Sequence, residues 1–471
     1  MHDKPVFQPV TPALVEQLAA IVGAEQISSA QADLDQHARD QGFYPAHAAE
    51  VVVWPTSTEQ VSQIVALANQ QRIPVTAWGA GTSIEANPIP IHGGIVLSLQ
   101  RMDAIVAIHA DDFQVTVQPG IGYKDLNARL ARSGLFFAPD PGANASIGGM
   151  LANNAAGIRT VRYGAAKDNV LRMQVVLADG RVISVGSRSV KQSSGYDLLH
   201  LLVGSEGTLG IVTEATLRLF PIAEHISAAV AAFETVEAAM EAVVQVRSSG
   251  LDPSALEFLD AGFARMLNDS AALGLLPKPN LFMEFQAAHV QTLAHGIETV
   301  REICQSLGAI SFGATTSAAE RKQLWQARNH AYEILVRTYP GKQMFINDVA
   351  VPISSYPALI GFIQEQLASR AVEAFLIGHA GDGNIHVVFP CADDAEYAAC
   401  QAINADIVEK ALELGGTATG EHGVGLGKAR FMPIEHGAAL DVMRSVKQAL
   451  DPNGILNPGK IFPQPIRGET Q

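Results

Sequence analysis

Residues 139–157 read PDPGANASIGGMLANNAAG. Pro139, Asp140 and Pro141 form a stiff approach, Ser146 is placed to cap a helix, and the Gly148-Gly149 pair leads through small side chains, past Asn153, to Gly157. Small residues let a backbone pack closely on a large flat ligand, and amides at a helix N-terminus suit its phosphates. Two other glycine segments accompany this one. RIPVTAWGAGTS at 72–83 runs from an apolar strand into a loop, where Gly79, Ala80 and Gly81 allow successive N–H groups to face one anion and the Thr82 and Ser83 hydroxyls add donors. VGSEGTLGIVT at 203–213 enters a strand, with Glu206, Gly207, Gly210 and Ile211 spaced to line a planar ring edge. Any one such loop is most often a tight turn after a buried strand; three together point to a nucleotide-like cofactor. No GxGxxG opens a helix with an acidic residue at the expected distance, so a Rossmann fold is not supported.

Around these loops the pattern is mixed. Apolar, β-branched runs at 51–53, 75–77, 95–97, 115–117, 173–177, 182–185 and 211–219 predict short strands separated by helices and turns. Thr11-Pro12 predicts a capped leading helix with Leu14, Leu18, Ile21 and Val22 on one face. After Pro221 a second regime begins, with helices expected over 236–248, 292–307 and 319–336 and strands near 281–285 and 345–351. The fold class is α+β.

A chain of 471 residues needs more than one core. Its 48% hydrophobic and 17% charged content fits a globular enzyme, and Lys+Arg 32 against Asp+Glu 47, a net charge of -15, argues against nucleic-acid partners. Cys304, Cys391 and Cys400 are odd in number and show no CxxC spacing, which argues against a disulfide framework, a thiolate zinc site or an iron–sulfur cluster and fits a reducing compartment. With no apolar stretch long enough to span a bilayer and no leader-like N-terminus, a cytoplasmic protein is expected, peripheral attachment at the inner face of the membrane being left open.

The chemistry concentrates late in the chain. GHAGDGNIH at 378–386 predicts a hairpin turning at Asp382-Gly383, which would set His379 directly opposite His386, about 5 Å apart and within reach of one metal ion. A carboxylate would complete such a site, and TGEHG follows at 419–423. A lone histidine is usually a hydrogen-bonded structural residue; three with a glutamate in glycine-rich turns are poorly explained by packing.

The three glycine segments resemble the FAD-binding domain of the vanillyl-alcohol oxidase flavoproteins, also called the PCMH type. Over nearly the whole chain LWQAR at 324–328, NDVAVPIS at 347–354, GHAGDGNIH, TATGEHGVGLGK and DPNGILNPGK are similar to the FAD-dependent D-lactate dehydrogenases. The glycolate oxidase flavoprotein subunit and D-2-hydroxyglutarate dehydrogenases are close relatives. The resemblance implies an N-terminal helical segment over 1–45, a two-lobed FAD-binding domain over 46–224, an α+β substrate cap over 225–420 and a C-terminal segment over 421–471 that returns to the flavin, with Asn457 near the ring. Residues 79–83 contain no histidine, so FAD is expected to be non-covalent.

The same resemblance places metal ligands at His379, His386 and Glu421, a catalytic base at His422 and a carboxylate-binding arginine at Arg328. Tyr332, one helical turn on, is expected to line the same pocket. Imidazole and carboxylate donors suit zinc, manganese or ferrous iron. Relatives acting on a second carboxylate carry a lysine where this chain has Ile346, which favours a small 2-hydroxy acid such as D-lactate. Electrons are expected to pass to a quinone, cytochrome or electron-transfer flavoprotein. A homodimer stays open, as do three rivals: a glycolate oxidase subunit needing iron–sulfur partners, a metal-dependent hydrolase and a non-catalytic flavin-binding subunit.

Overall fold

The protein is represented by a computed structural model that describes residues 6–463. The chain divides into two compact units. The first draws on Met1–Ala155, Ala165–Ile222 and Glu421–Gln471, the second on Ala156–Gly164 and Ala223–Gly420.

In the first unit, the leading helix is Pro12–Val22, with the Thr11 hydroxyl accepting from the Leu14 N–H and with Leu14, Leu18 and Val22 buried. A four-stranded sheet runs in the order Ile27–Ser28, Val51–Val53, Ile95–Ser98, Val75–Trp78. Its last three strands are parallel, and burial on both faces explains why they are continuous apolar runs rather than alternating ones. The Thr58–Gln71 helix buries Val61, Ile64, Val65 and Ala68 in the same core. A second, antiparallel sheet of five strands runs Ile105–His109, Gln114–Val117, Ile211–Arg218, Val170–Val176, Val182–Gly186. The turn-rich tail is pinned to the first sheet. Val75 N–H donates to Ile455 C=O, and Asn457 N–H to Val75 C=O, each at 2.8 Å.

The second unit is one seven-stranded antiparallel sheet in the order Ala309–Thr315, His225–Phe233, Asn280–Ala287, Ala255–Leu259, Phe375–Gly378, Asn384–Cys391, Gln343–Ala350. Helices Val236–Ser248 and Val290–Ser306 match the expected segments closely. The single helix expected over 319–336 is instead two, Ala318–Asn329 and Ala331–Thr338, broken at His330, whose φ of -96° and ψ of 13° leave the helical region. Neither proline nor glycine marks that break. On one face of the sheet Leu259, Phe282, Ile377 and Val388 pack with Phe263, Ala327 and Leu335 from the covering helices. This apolar layer ends at the polar cluster described next.

All three cysteines are buried and free. No helix among the described residues is long and apolar enough to cross a membrane.

Candidate active site

Strands Phe375–Gly378 and Asn384–Cys391 form the expected hairpin, but not in the expected register. Ile377, not His379, lies opposite His386. The connection is a five-residue loop containing a 3-10 turn at Ala380–Asp382, closed by Asp382 N–H and Asn384 N–H donating to His379 C=O. Gly383 sits at φ +72°, and a Cβ there would meet Val351 C=O at 2.0 Å, so Asp382-Gly383 serves as the end of a longer loop rather than as a two-residue turn. His379 is therefore the diagonal neighbour of His386. Diagonal pairs share a face, and the two imidazoles still meet, with ring centroids 5.4 Å apart, planes at 86° and ring nitrogens within 4.8 Å. Both side chains are buried.

A buried carboxylate stands behind each ring. Glu257, on the Ala255–Leu259 strand, places Oε1 2.8 Å from His379 Nδ1. Its Oε2 accepts from the Arg328 guanidinium on the Ala318–Asn329 helix. Burial pushes the Glu257 carboxyl up, but the Arg328 charge and the His379 ring outweigh it and hold the group below the usual glutamate range. On the other side Asp348 Oδ1 lies 3.5 Å from His386 Nδ1 and accepts from Asn384 Nδ2 at 2.7 Å. Asp348 Oδ2 accepts from Thr419 Oγ1 at 2.9 Å and from the Gly420 N–H at 2.8 Å. A Cβ on Gly420 would fall 2.1 Å from Asn384 Nδ2, so only glycine fits that approach. Glu421 is the next residue in the chain. With Nδ1 of His379 committed to Glu257, any metal bond from this ring must use Nε2, the arrangement in which an outer carboxylate orients a ligating imidazole.

Neither carboxylate stood out in the sequence as a site residue. The available signal was a single acidic side chain inside an apolar strand, Glu257 within ALEFL and Asp348 within MFINDVA, where a charge persists only if paired.

Arg328 is nearly buried, and its Nε–H donates to no acceptor among the described residues, leaving a donor suited to a substrate carboxylate. Tyr332 is on a separate helix from Arg328. It lies beyond the break at His330, is 38% exposed and makes no hydrogen bond to Glu257, Arg328 or His379. Ile346 pairs with Val388 two places along from Asp348 and packs against the apolar layer.

The remaining candidates belong to the first unit. Glu421 and His422 are neighbours, with His422 Nε2 3.6 Å from Glu421 Oε1, and the His422 C=O accepts from Asn153 Nδ2 at 3.3 Å. The 139–157 segment caps as expected, Ser146 Oγ accepting from Gly149 N–H in the Ile147–Asn153 helix. Its other early amides are already used. Ile147 N–H donates to Ile121 C=O and Gly148 N–H to Pro119 C=O, so these two amides are hydrogen-bonded within the protein. Pro139 is buried, Asp140 C=O takes the Gly142 N–H, and Gly157 lies in the 156–164 piece grouped with the second unit. Ser83 is likewise engaged, its hydroxyl bonding Asp40 and Asn87. In the 79–83 loop, by contrast, the N–H groups of Ala80, Gly81 and Thr82 donate to no protein acceptor among the described residues.

The Glu206 side chain ties several segments of the first unit together. At φ +53°, its carboxylate accepts from Asn87 Nδ2, Val424 N–H and Gly425 N–H, its C=O accepts from Asn457 Nδ2, and burial pushes its carboxyl up. Asn457 Nδ2 also reaches Asn87 C=O, so Asn457 joins the same knot. Gly207 takes φ +69°, a Cβ on Gly210 would meet Val175 Cγ1 at 2.6 Å, and Ile211 is core.

Two family descriptions match the chain, "FAD linked oxidases, C-terminal domain" over residues 222–461 and "FAD binding domain" over 49–186. The chain belongs to the FAD-linked oxidases. This FAD-linked oxidase is 37% identical to a probable mitochondrial D-lactate dehydrogenase of Danio rerio, over 95% of this chain and 91% of that one. It is 37% identical to a mitochondrial D-lactate dehydrogenase [cytochrome] of Arabidopsis thaliana, covering 97% and 81%, and 34% identical to glycolate oxidase subunit GlcD of Bacillus subtilis, covering 97% and 98%. Among solved structures, 4-ethylphenol oxidase from Gulosibacter chungangensis shares the fold with a TM-score of 0.79 at 19% identity, over 96% of this chain and 97% of that one. The protein is thus an FAD-dependent oxidoreductase, and the unused amides of 80–82 fit an anionic cofactor.

Proposed function

We propose that this FAD-linked oxidase converts a short D-2-hydroxy acid, D-lactate first, to the 2-oxo acid and passes the electrons to a cytochrome. A quinone or electron-transfer flavoprotein is the alternative acceptor. The supporting observation is the juxtaposition of Arg328, with its unused Nε–H, and a buried histidine pair backed by carboxylates. The relatives named D-lactate dehydrogenase, one of them with a cytochrome in its name, support the substrate and acceptor.

When bound, FAD accepts the substrate's α-hydrogen as a hydride equivalent, and a divalent ion would lower the pKa of the substrate hydroxyl. His379 and His386 would hold that ion, with Glu421, one peptide beyond the anchored Gly420, assigned as the third ligand. Buried imidazoles, one hydrogen-bonded at Nδ1 to Glu257 and the other with Asp348 Oδ1 3.5 Å from its Nδ1, have the donor chemistry such an ion needs. Zinc, manganese and ferrous iron all suit this set. Arg328 binds and orients the substrate carboxylate. His422 takes the hydroxyl proton on its imidazole. Ile346, apolar and packed, offers nothing to a second carboxylate and so disfavours 2-hydroxy diacids.

Anaerobic addition of D-lactate should bleach the flavin absorbance of the purified protein. Bleaching by glycolate with none by D-lactate would move the assignment to a glycolate oxidase subunit, a reading favoured by the near-complete coverage of the Bacillus subtilis protein. Absence of any flavin would end both.

A further inference from the structure

Glu257 is completely buried in a strand whose other residues, Ala255, Leu256, Phe258 and Leu259, are apolar and buried too. A carboxylate in that setting costs several kcal/mol unless it is paired, so packing alone would select an apolar residue here. A structural ion pair would need one partner. Glu257 has two of different chemistry, one on each oxygen: His379 Nδ1 on Oε1 and Arg328 on Oε2.

Each partner is constrained in a way that matters beyond folding. The Oε1 contact requires the proton of neutral His379 to sit on Nδ1, which turns the Nε2 lone pair away from Glu257 and raises its basicity. The Oε2 contact fixes one terminal nitrogen of the Arg328 fork and leaves the Nε–H, buried and unused, pointing elsewhere. The three side chains come from separate elements, the Ala255–Leu259 strand, the loop after Phe375–Gly378 and the Ala318–Asn329 helix. The carboxylate contacts both the imidazole and the guanidinium.

We infer that Glu257 is a positioning residue that couples two functions, holding His379 in the tautomer that binds metal and Arg328 in the orientation that binds the substrate carboxylate. The inference rests on the metal and arginine roles proposed above. It commits one buried side chain to both metal affinity and substrate affinity.

The test uses the flavin-containing full-length protein, stripped of metal and titrated with Zn²⁺ against a chromophoric chelator, alongside KM and kcat for D-lactate. Glu257→Gln should weaken Zn²⁺ binding roughly 10–100-fold, the range for loss of an outer-shell partner, and raise the D-lactate KM in the same variant. Arg328→Lys should raise KM while leaving Zn²⁺ affinity within about twofold, since the His379 contact survives. If Glu257→Gln proves unstable because Arg328 is left without a counter-charge, Glu257→Gln combined with Arg328→Met removes both charges and should still show the Zn²⁺ loss. Either Glu257 variant binding Zn²⁺ as tightly as the parent overturns the inference while leaving the underlying metal assignment intact. A parent that binds neither Zn²⁺ nor Mn²⁺ removes that assignment, and the inference with it.

Discussion

The closest approach between two of the glycine segments can be tested by filling it. A Cβ on Gly79 would lie 2.2 Å from Ser146 Oγ, far inside contact distance, whereas the next atoms, Ser146 Cβ and Gly149 N, are at 3.5 and 3.8 Å. Gly79 is not in the left-handed region, so alanine there adds crowding without torsional strain. Overpacking of this kind costs about 1–3 kcal/mol. Ser146→Ala removes the offending oxygen but also the cap on Gly149 N–H, worth about 1 kcal/mol. Independent effects would sum to about 2–4 kcal/mol in the double variant. Because the clash is with Oγ alone, Gly79→Ala with Ser146→Ala should instead cost about what Ser146→Ala costs by itself, about 1 kcal/mol. The measurements are urea unfolding of the deflavinated proteins and FAD titration followed by quenching of flavin fluorescence. Gly79→Ala alone should weaken FAD binding, and Ser146→Ala should restore much of it. A double variant as unstable as the sum of the singles would refute the geometry of the two loops.

Three further outcomes are expected. His422→Ala should keep its yellow colour but lose the D-lactate reduction rate by roughly 10²–10⁴-fold, as removal of a general base does; stopped-flow bleaching at the parental rate would exclude His422 as the base. Ile346→Lys should lower kcat/KM for D-lactate and raise it for D-2-hydroxyglutarate, and an unchanged ratio would mean that position 346 does not face the substrate. Asp260 caps the Ala261–Ala271 helix and accepts the Leu376 N–H, and burial pushes its carboxyl up to about 6 from 3.8. Between those values the folded form binds a proton that the unfolded chain has released, so stability falls as pH rises through that window, by about 3 kcal/mol in all. Denaturant unfolding of Asp260→Asn across about pH 4–6 should show that slope flattened, and an equal slope in the variant would place the titration elsewhere.

Much of the fold was legible because it rests on local rules. Thr11-Pro12 caps its helix, and the parallel strands at 51–53, 75–78 and 95–98 are continuous apolar runs because both faces of their sheet are covered. The pairing of His379 with His386 was also foreseeable, although its register was not: Asp382-Gly383 is a strong local hairpin signal, but the packing of Gly383 against Val351 C=O lengthens the turn. The break at His330, which puts Arg328 and Tyr332 on separate helices, carried no proline or glycine signal.

Sequence alone thus determined which residue types were available: three glycine-rich segments for a cofactor, a histidine pair in a turn, an arginine on a helix and an apolar residue at 346. Each is a property of neighbours along the chain, set by backbone torsion and hydrophobic periodicity. Only the tertiary structure decided which partners those groups have. Glu257 reaches His379 across 122 positions of chain, Asp348 reaches Gly420 across 72 and Glu206 reaches Gly425 across 219. Such pairings depend on strand order and on the desolvation that makes a buried carboxylate find a donor, and no local pattern encodes either.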